Sequence, residues 1–577
     1  MSSDAEPVTG TVFPDAFNLA DYFLFDRERE GKGAKVAIRF GDRVWTYAQV
    51  AARSRALARW LVAYGLTPEQ RVYIVLPDVP PFAWAVFATL AAGGVVTMGN
   101  PAAPVADLGY VLDYVKAAAL ITTADVAEAL APRLARLPHL RAVLLAPDAP
   151  TGADPEATVP LGARTAGLVT PSRHATSVHV TSLNLAIEGA IADRGPVAAT
   201  VLPAVRRDDP AIWLFTSGST GRPKAAMHSH RDFAFNTEVY AKRTVGYVET
   251  DVAISVPRLF FGYATGTNLW FPFAVGATVG LFSERPTADS VADAIARYRP
   301  TIVTNVPTML GKLLDLDDER RAAGQPGLDL SSVRFHLSAG EALPEPLLHR
   351  FIERFGGQVY DGIGSAEMFH IYCSNRPGDV MPGSLGRAVE GYTLKILPED
   401  AEGAGAPALP PNEIGILWVK GDSVAHGYFQ DRDKSWNTFH GHWCRTGDLF
   451  HIDARGYLWF SGRSDDLFKV GGIFVAPREV EDCLLGHGAV SIAAVIPGDD
   501  AGLIKPKAVV VLRPEARARD PRALAEELKA HVQTRLSKHK YPRWVVFVDD
   551  LPKNDRGKVD KKLLIDRDRR GELTETL

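Results

Sequence analysis

Short β-branched or apolar runs alternate with amphipathic stretches along most of the chain. Arg71-Val72-Tyr73-Ile74-Val75-Leu76 reads as a strand, and so does Thr301-Ile302-Val303-Thr304-Asn305-Val306, which directly follows the helical segment Asp289 to Tyr298. Strand–helix alternation of this kind predicts α/β layers with largely parallel sheets. No fixed-period repeat interrupts it. The stretch Phe82 to Met98 carries no charge and sits at the short limit of the roughly 17–25 residues that cross a bilayer. It contains Gly93-Gly94 and runs into Thr97-Met98-Gly99-Asn100-Pro101. The pattern predicts a buried helix from Pro81 to Ala92, a Gly-Gly stop and a short buried strand Val95-Val96-Thr97, with no membrane span.

The region 147–209 is rich in Ala, Pro, Gly and Thr and weakly periodic, which predicts an elaborated surface connection. A second Pro/Gly/Ala-rich stretch, Pro398 to Pro411, reads as a loop between strands. Near Gly462-Arg463-Ser464-Asp465-Asp466 the pattern stops and restarts. Beyond it come strand-like Leu467 to Val470, a helix Pro477 to Leu485, strands Ile492 to Ile496 and Ala508 to Leu512, a helix Pro521 to Leu536 and a strand Trp544 to Val548. This predicts a large α/β N-terminal domain over 1–462, of layered sheets and helices, and a small α+β C-terminal domain over 463–577.

Composition narrows the partners. The 577 residues are 46% hydrophobic and 23% charged, with a net charge of −4, so neither nucleic acid nor an anionic membrane is expected as partner. The three cysteines, Cys373, Cys444 and Cys483, are too few and too scattered for a disulfide framework or zinc site. The start, Met1-Ser2-Ser3-Asp4-Ala5-Glu6, lacks the basic and apolar parts of a signal peptide, so a reducing cytoplasm is the expected location.

The most specific chemistry lies in Phe215-Thr216-Ser217-Gly218-Ser219-Thr220-Gly221-Arg222-Pro223-Lys224, after the apolar Ile212-Trp213-Leu214. Glycines let N–H groups converge and hydroxyls add donors, which is how a loop cradles phosphate oxygens. No Gly-Lys-Ser/Thr closes it, so it is not the common phosphate loop. This segment resembles the signature loop of the adenylate-forming superfamily of acyl-CoA synthetases, luciferases and nonribosomal adenylation domains. Further motifs follow in that family's order over nearly the whole chain.

The resemblance implies roles. Thr216, Ser217, Gly218, Ser219, Thr220, Gly221 and Lys224 would hold phosphates. Ser338-Ala339-Gly340-Glu341 resembles the strand-turn beside adenine, with Gly340 and Glu341 at the matching positions. Tyr360-Asp361-Gly362-Ile363-Gly364-Ser365-Ala366-Glu367 resembles the second core motif. There Asp361, Gly362, Ile363 and Ser365 would meet the nucleotide, and Glu367 would help hold Mg²⁺. Asp448, in Trp443-Cys444-Arg445-Thr446-Gly447-Asp448, would accept from the ribose hydroxyls, with Arg463 beside it. Asp465 would be the hinge of a mobile C-terminal domain. Lys558, in Leu551-Pro552-Lys553-Asn554-Asp555-Arg556-Gly557-Lys558, matches the adenylation lysine. Lys469 matches the thioester-forming lysine, and Gly471 and Gly472 would admit the pantetheine arm of coenzyme A. Ala225, Ala366 and Asn554 depart from the usual pattern.

Pro257-Arg258-Leu259-Phe260-Phe261-Gly262-Tyr263, taken with Gly362 to Ile371, most resembles the benzoate–CoA ligase branch. Gly262, Tyr263, Ser338, Gly364 and His370 would then bind a small aromatic acid. The expected activity is that of an ATP-dependent aryl-acid–CoA ligase: the carboxylate becomes an acyl-adenylate with release of pyrophosphate, and coenzyme A then takes the acyl group. ATP, Mg²⁺ and coenzyme A are the implied cofactors. Two alternatives stand beside it: loading of an aryl acid onto a carrier protein, and nucleotide binding without turnover. Oligomeric state is not legible.

Overall fold

The computed structural model describes residues 11–162, 178–192, 197, 200–217, 222–341, 343–463, 468–470, 473–475, 477–500, 503–552 and 559–573. The chain forms two compact units, Met1–Leu394 with Val419–Cys444, and Lys395–Trp418 with Arg445–Leu577.

The first unit holds two large sheets. One runs in the order His179–Ser182, Ala142–Ala146, Ala119–Thr123, Arg71–Val75, Val95–Met98, Pro210–Ser217, Pro223–Ser229. Its first six strands are parallel and the last is antiparallel. The helix Pro80–Ala91 is buried at every position, and the Val95–Met98 strand is buried throughout. An element apolar all round belongs in a core. No helix among the described residues is long and apolar enough to cross a membrane.

The nine-stranded sheet runs Arg387–Ala388, Ile371–Ser374, Gln358–Gly364, Phe335–Ser338, Ile302–Asn305, Val252–Ser255, Thr278–Leu281, Val36–Phe40, Arg43–Thr46. The six strands from Gln358–Gly364 to Val36–Phe40 are parallel. From Val252–Ser255 the chain crosses to Thr278–Leu281 on one side and to Ile302–Asn305 on the other. Such a reversal opens a crevice beyond the carboxyl ends of the strands, where ligands of α/β sheets bind.

In the second unit, residues 448–452 of the strand Trp443–Ile452 pair antiparallel with the strand Leu458–Arg463, from Asp448↔Arg463 to Ile452↔Leu458. Val490–Asp500, Leu503–Leu512 and Trp544–Phe547 form a three-stranded sheet. Its alternating side chains serve two cores. Val495, Val510 and Val545 pack with the helices Pro477–Leu485 and Pro521–Gln533, through Val480, Leu484, Leu524 and Leu528. Ala494, Ile496, Val509 and Val511 pack with Leu564 of the helix Lys561–Arg569.

One sequence expectation needs correction. The 147–209 region is not only a surface connection, because His179–Ser182 is the edge strand of the seven-stranded sheet and Leu183–Ala192 is a helix with five buried positions. Compactness groups residues 395–418 and 445–462 with the C-terminal residues. The pairing of 448–452 with 458–463 carries across the sequence break at 462.

Candidate active site

Three neighbouring strands of the nine-stranded sheet carry polar residues in register toward their carboxyl ends, Asn305 and Ser338 as last residues and Asp361 three before the end of its strand. Asn305 pairs with Ser338, and Ser338 pairs with Asp361. All three are buried. Asn305 Oδ1, Ser338 Oγ and Asp361 Oδ1 have no hydrogen-bond partner among the described residues, and neither does Thr304 Oγ1 beside them. The Asn305 amide is otherwise held, its Nδ2 donating to His336 Nδ1 at 2.9 Å. Burial pushes the Asp361 carboxyl up to about 7; the nearby Ser338 hydroxyl and the Leu343 and Gly362 N–H groups partly offset the rise, though none of them meets hydrogen-bond geometry at Oδ1. Each unpaired buried polar group costs on the order of 1–3 kcal/mol. A row of them toward the carboxyl ends of adjacent strands is a place where a ligand or ordered water would find partners.

Beyond Asp361 the strand Gln358–Gly364 turns back into Ile371–Ser374. A Cβ on Gly364 would stand 2.4 Å from the carbonyl oxygen of His370, so only glycine lets the hairpin close. The turn between them contains the short helix Ala366–Met368 and then Phe369 at φ 67°. That left-handed conformation is costly for an aromatic residue. Packing opposes the cost: the Phe369 ring lies 3.7 Å from that of Phe233, centroid to centroid.

His370 is 2% exposed. Its Nε2 lies 2.9 Å from the Tyr263 carbonyl, which can only accept, so Nε2 carries the hydrogen. Burial lowers its pKa to about 3, so the ring is neutral and Nδ1 is a bare acceptor. Nδ1 has no partner among the described residues, and neither has the Tyr263 hydroxyl. Gly266 is what admits the imidazole, since a Cβ there would fall 2.4 Å from its Cδ2 and Nε2. The Tyr263 and His370 rings are 5.4 Å apart. Gly262 opens the helix Gly262–Thr265, where an added Cβ would meet Leu214 at 3.1 Å. The structure thus brings Gly262, Tyr263, Gly364 and His370 together.

Glu367 is half-buried on the short helix. Its Oε1 accepts from the Tyr428 hydroxyl at 2.7 Å. Burial, and then the Glu367 charge, push the Tyr428 phenol far above its usual value, so it keeps its proton. Main-chain contacts fix the same turn. The Ala425 N–H donates to Glu367 O at 2.8 Å, Ser423 Oγ to Met368 O at 2.8 Å, and His228 Nε2 to Ala366 O at 2.7 Å. The other His228 nitrogen faces Asp232 Oδ2 at 3.0 Å.

The phosphate-loop expectation is placed in part. Thr216 and Ser217 end the strand Pro210–Ser217 and pair with Lys224 and Pro223 of the returning strand. Gly218, Ser219, Thr220 and Gly221 lie outside the described residues. Lys224 Nζ pairs with Asp431 Oδ2 at 3.1 Å and lies 5.7 Å from the centre of the Tyr428 ring. Gly340 has open space where a Cβ would point. The Glu341 carboxylate is engaged, accepting from Thr308 Oγ1 at 2.7 Å and Thr308 N at 3.3 Å. Both bonds fall on Oε2, which fixes the side chain and leaves Oε1 without a bond to Thr308. Ile363 is half-buried, and Ser365 Oγ is unpaired among the described residues.

In the second unit Asp448 is half-buried and faces Arg463 across the strand pair, and its N–H donates to Thr446 Oγ1 at 3.3 Å. Thr446 Oγ1 in turn donates to Leu417 O at 2.9 Å. Lys469 sits in the strand Phe468–Val470, opposite Phe474. Asp465, Gly471, Gly472 and Lys558 lie outside the described residues.

Sequence reasoning missed Tyr428, Asp431, His228 and Asn305. Only the Asn305-Val306-Pro307 strand end carried a local signal, a polar residue where an apolar strand meets a helix with proline at its start.

The sequence matches the AMP-binding enzyme family over residues 25–429 and the AMP-binding enzyme C-terminal domain over 479–558. It is 36% identical to a benzoate–CoA ligase of Thauera aromatica over 550 residues, 95% of each chain. It is 36% identical to a 4-hydroxybenzoate–CoA/benzoate–CoA ligase of Rhodopseudomonas palustris, covering 95% of this chain and 94% of that one. The crystal structure of the anthranilate CoA ligase AuaEII in complex with anthranoyl-AMP superposes with a TM-score of 0.82 at 31% identity, covering 97% of this chain and 98% of that one.

Proposed function

This chain belongs to the AMP-binding enzyme family, and from that membership we propose how it works as an AMP-forming acid–thiol ligase of the benzoate–CoA ligase type. ATP and coenzyme A are its substrates, with an aryl carboxylic acid. The carboxylate oxygen attacks the α-phosphorus of ATP while the bond to pyrophosphate breaks. The thiolate sulfur of coenzyme A then attacks the acyl carbon, and AMP leaves with the electron pair of the mixed anhydride.

The first step brings an anion toward a polyanion, so preorganised donors and positive charge must offset the repulsion. In our reading the Thr216 to Gly221 loop and Lys224 take the phosphates. Gly340, Asp361, Gly362, Ile363 and Ser365 border the nucleotide, and Ser338 lies beside the acid. Asp448 and Arg463 take the ribose. Lys558 brings its cation to the developing charge in adenylation, and Lys469 serves thioester formation, with Gly471 and Gly472 along the pantetheine arm. Both lysines lie beyond Asp465, the proposed hinge between 1–462 and 463–577, so rotation there would exchange them.

Glu367 fits a Mg²⁺ brought by the nucleotide. Its carboxylate is a hard oxygen donor with one oxygen already oriented by the neutral Tyr428 hydroxyl. Among the described residues no group of three or more His, Cys, Asp or Glu could hold an ion alone. A metal that keeps waters and phosphate oxygens needs only one or two protein carboxylates. When bound it would neutralise phosphate charge.

The observation that carries the reading is the row of unpartnered polar atoms toward the carboxyl ends of adjacent strands, one turn from Glu367. The bare His370 Nδ1 supports an acid whose ring carries a hydrogen-bond donor, a hydroxy- or aminobenzoate in preference to benzoate. The three free cysteines suit a reducing cytoplasm. Separate assays of the half-reactions test the lysine roles. Lys558→Ala should lower acid-dependent pyrophosphate exchange by about 100-fold or more while sparing thioester formation from supplied aryl-adenylate, and Lys469→Ala should do the reverse. Equal losses in both assays for both variants contradict the assignment.

A further inference from the structure

We propose that Tyr428 is the positioning residue of the adenylation step, its hydroxyl fixing the Glu367 carboxylate in the orientation that receives the metal–nucleotide complex. The inference rests on the adenylation reading above. A glutamate side chain on a short turn has several rotamers, and fixing it costs entropy unless a partner selects one. Tyr428 is that partner, at 2.7 Å from Oε1. A carboxylate can only accept, so the phenolic O–H donates, and the contact leaves Oε2 for another ligand.

Tyr428 is itself held. It is 6% exposed and bridges by its main chain to Ala226. Its N–H donates to Ser435 Oγ at 2.9 Å, and its ring lies 5.1 Å from that of Phe439. The segment bearing it also clamps the glutamate turn through Ala425 and Ser423. On the ring face, Lys224 stands 5.7 Å from the centroid while paired to Asp431. One phenol therefore touches the metal carboxylate with its hydroxyl and the cation of the phosphate-loop strand with its ring. Outer partners of metal ligands commonly set affinity by about 10–100-fold.

The test uses the full chain and Tyr428→Phe, which keeps the ring against Phe439 and removes only the donor. Mn²⁺ binding to the enzyme–ATP complex is followed by electron paramagnetic resonance. About tenfold weaker Mn²⁺ binding is expected. The Mg²⁺ concentration giving half-maximal pyrophosphate exchange should rise in parallel. Metal-free ATP affinity, melting temperature and thioester formation from supplied aryl-adenylate should not change. In a Glu367→Gln background the same substitution should have no further effect on Mn²⁺ binding. Unchanged Mn²⁺ affinity, an additive loss in the double variant, or equal loss in both half-reactions would each overturn the proposal. If instead wild-type enzyme binds Mn²⁺ and ATP as expected but releases no pyrophosphate with any acid, the adenylation reading fails and the Tyr428–Glu367 coupling stands.

Discussion

The two sheets of the first unit are built alike, each around six parallel strands with an antiparallel strand at an edge, yet they treat their buried polar groups differently. In the seven-stranded sheet the hydroxyls of Thr97 and Thr122 donate to the carbonyls of Val72 and Val75, both at 3.0 Å. Ser182 Oγ accepts from the Val159 N–H at 3.1 Å. In the nine-stranded sheet Thr304, Asn305, Ser338 and Asp361, toward adjacent carboxyl ends, leave oxygen atoms unpaired among the described residues. Among the described residues the exception in the seven-stranded sheet is Trp213 Nε1, on the strand that leads into the phosphate-loop segment. Polar groups are closed where a sheet only needs to be stable and left open where it has something to hold.

The largest test of that contrast is Asp361→Ala. If the open row receives the nucleotide, the Michaelis constant for ATP should rise about 10–100-fold, the worth of a hydrogen bond to a charged group, with the fold intact by circular dichroism. An unchanged constant would make the row a structural defect.

Acid stability separates the sheets less sharply. Burial holds His230, His336 and His370 at about 3, against 6.5 in an open chain. The unfolded chain binds these protons first as pH falls, so their stabilisation is full above pH 6.5 and is lost between 6.5 and about 3. Asp361 acts oppositely. Its carboxyl titrates at about 7 when folded and near 3.8 when unfolded, so its cost is nil below 3.8 and complete above 7. The melting temperature should therefore fall from pH 6.5 to pH 4.5, and Asp361→Asn should be more stabilising, relative to wild type, at pH 8 than at pH 4.5. A pH-independent difference between the two proteins would contradict the Asp361 assignment.

The smallest effect is expected in the closed sheet. Thr122→Val removes one satisfied hydrogen bond and should lower stability by about 1 kcal/mol in urea unfolding, with the ATP and acid constants unchanged. A change in either constant would erase the distinction between the sheets.

How much of this was legible follows from sequence distance. The Pro80–Ala91 helix and the strand after Gly93-Gly94 could be read because a chargeless run and a glycine stop are local signals. The glutamate turn and its neighbours carried a recognisable motif. The row Asn305–Ser338–Asp361 could not be read, because register between parallel strands is set by helices packed between them. Tyr428 lies 61 residues beyond Glu367 and reaches it only because the chain folds back. His179–Ser182 is not legible as a strand, because four residues with an exposed histidine leave almost no periodic signal.

Acid-dependent exchange of pyrophosphate into ATP, measured with Mg²⁺ across benzoate, hydroxybenzoates, aminobenzoates and aliphatic acids, tests the central claim most directly. Exchange should depend on an aryl acid, be strongest for rings bearing a hydroxyl or amino group, and give way to a thioester when coenzyme A is added. Exchange with aliphatic acids or amino acids alone, or with none of the panel, would contradict it.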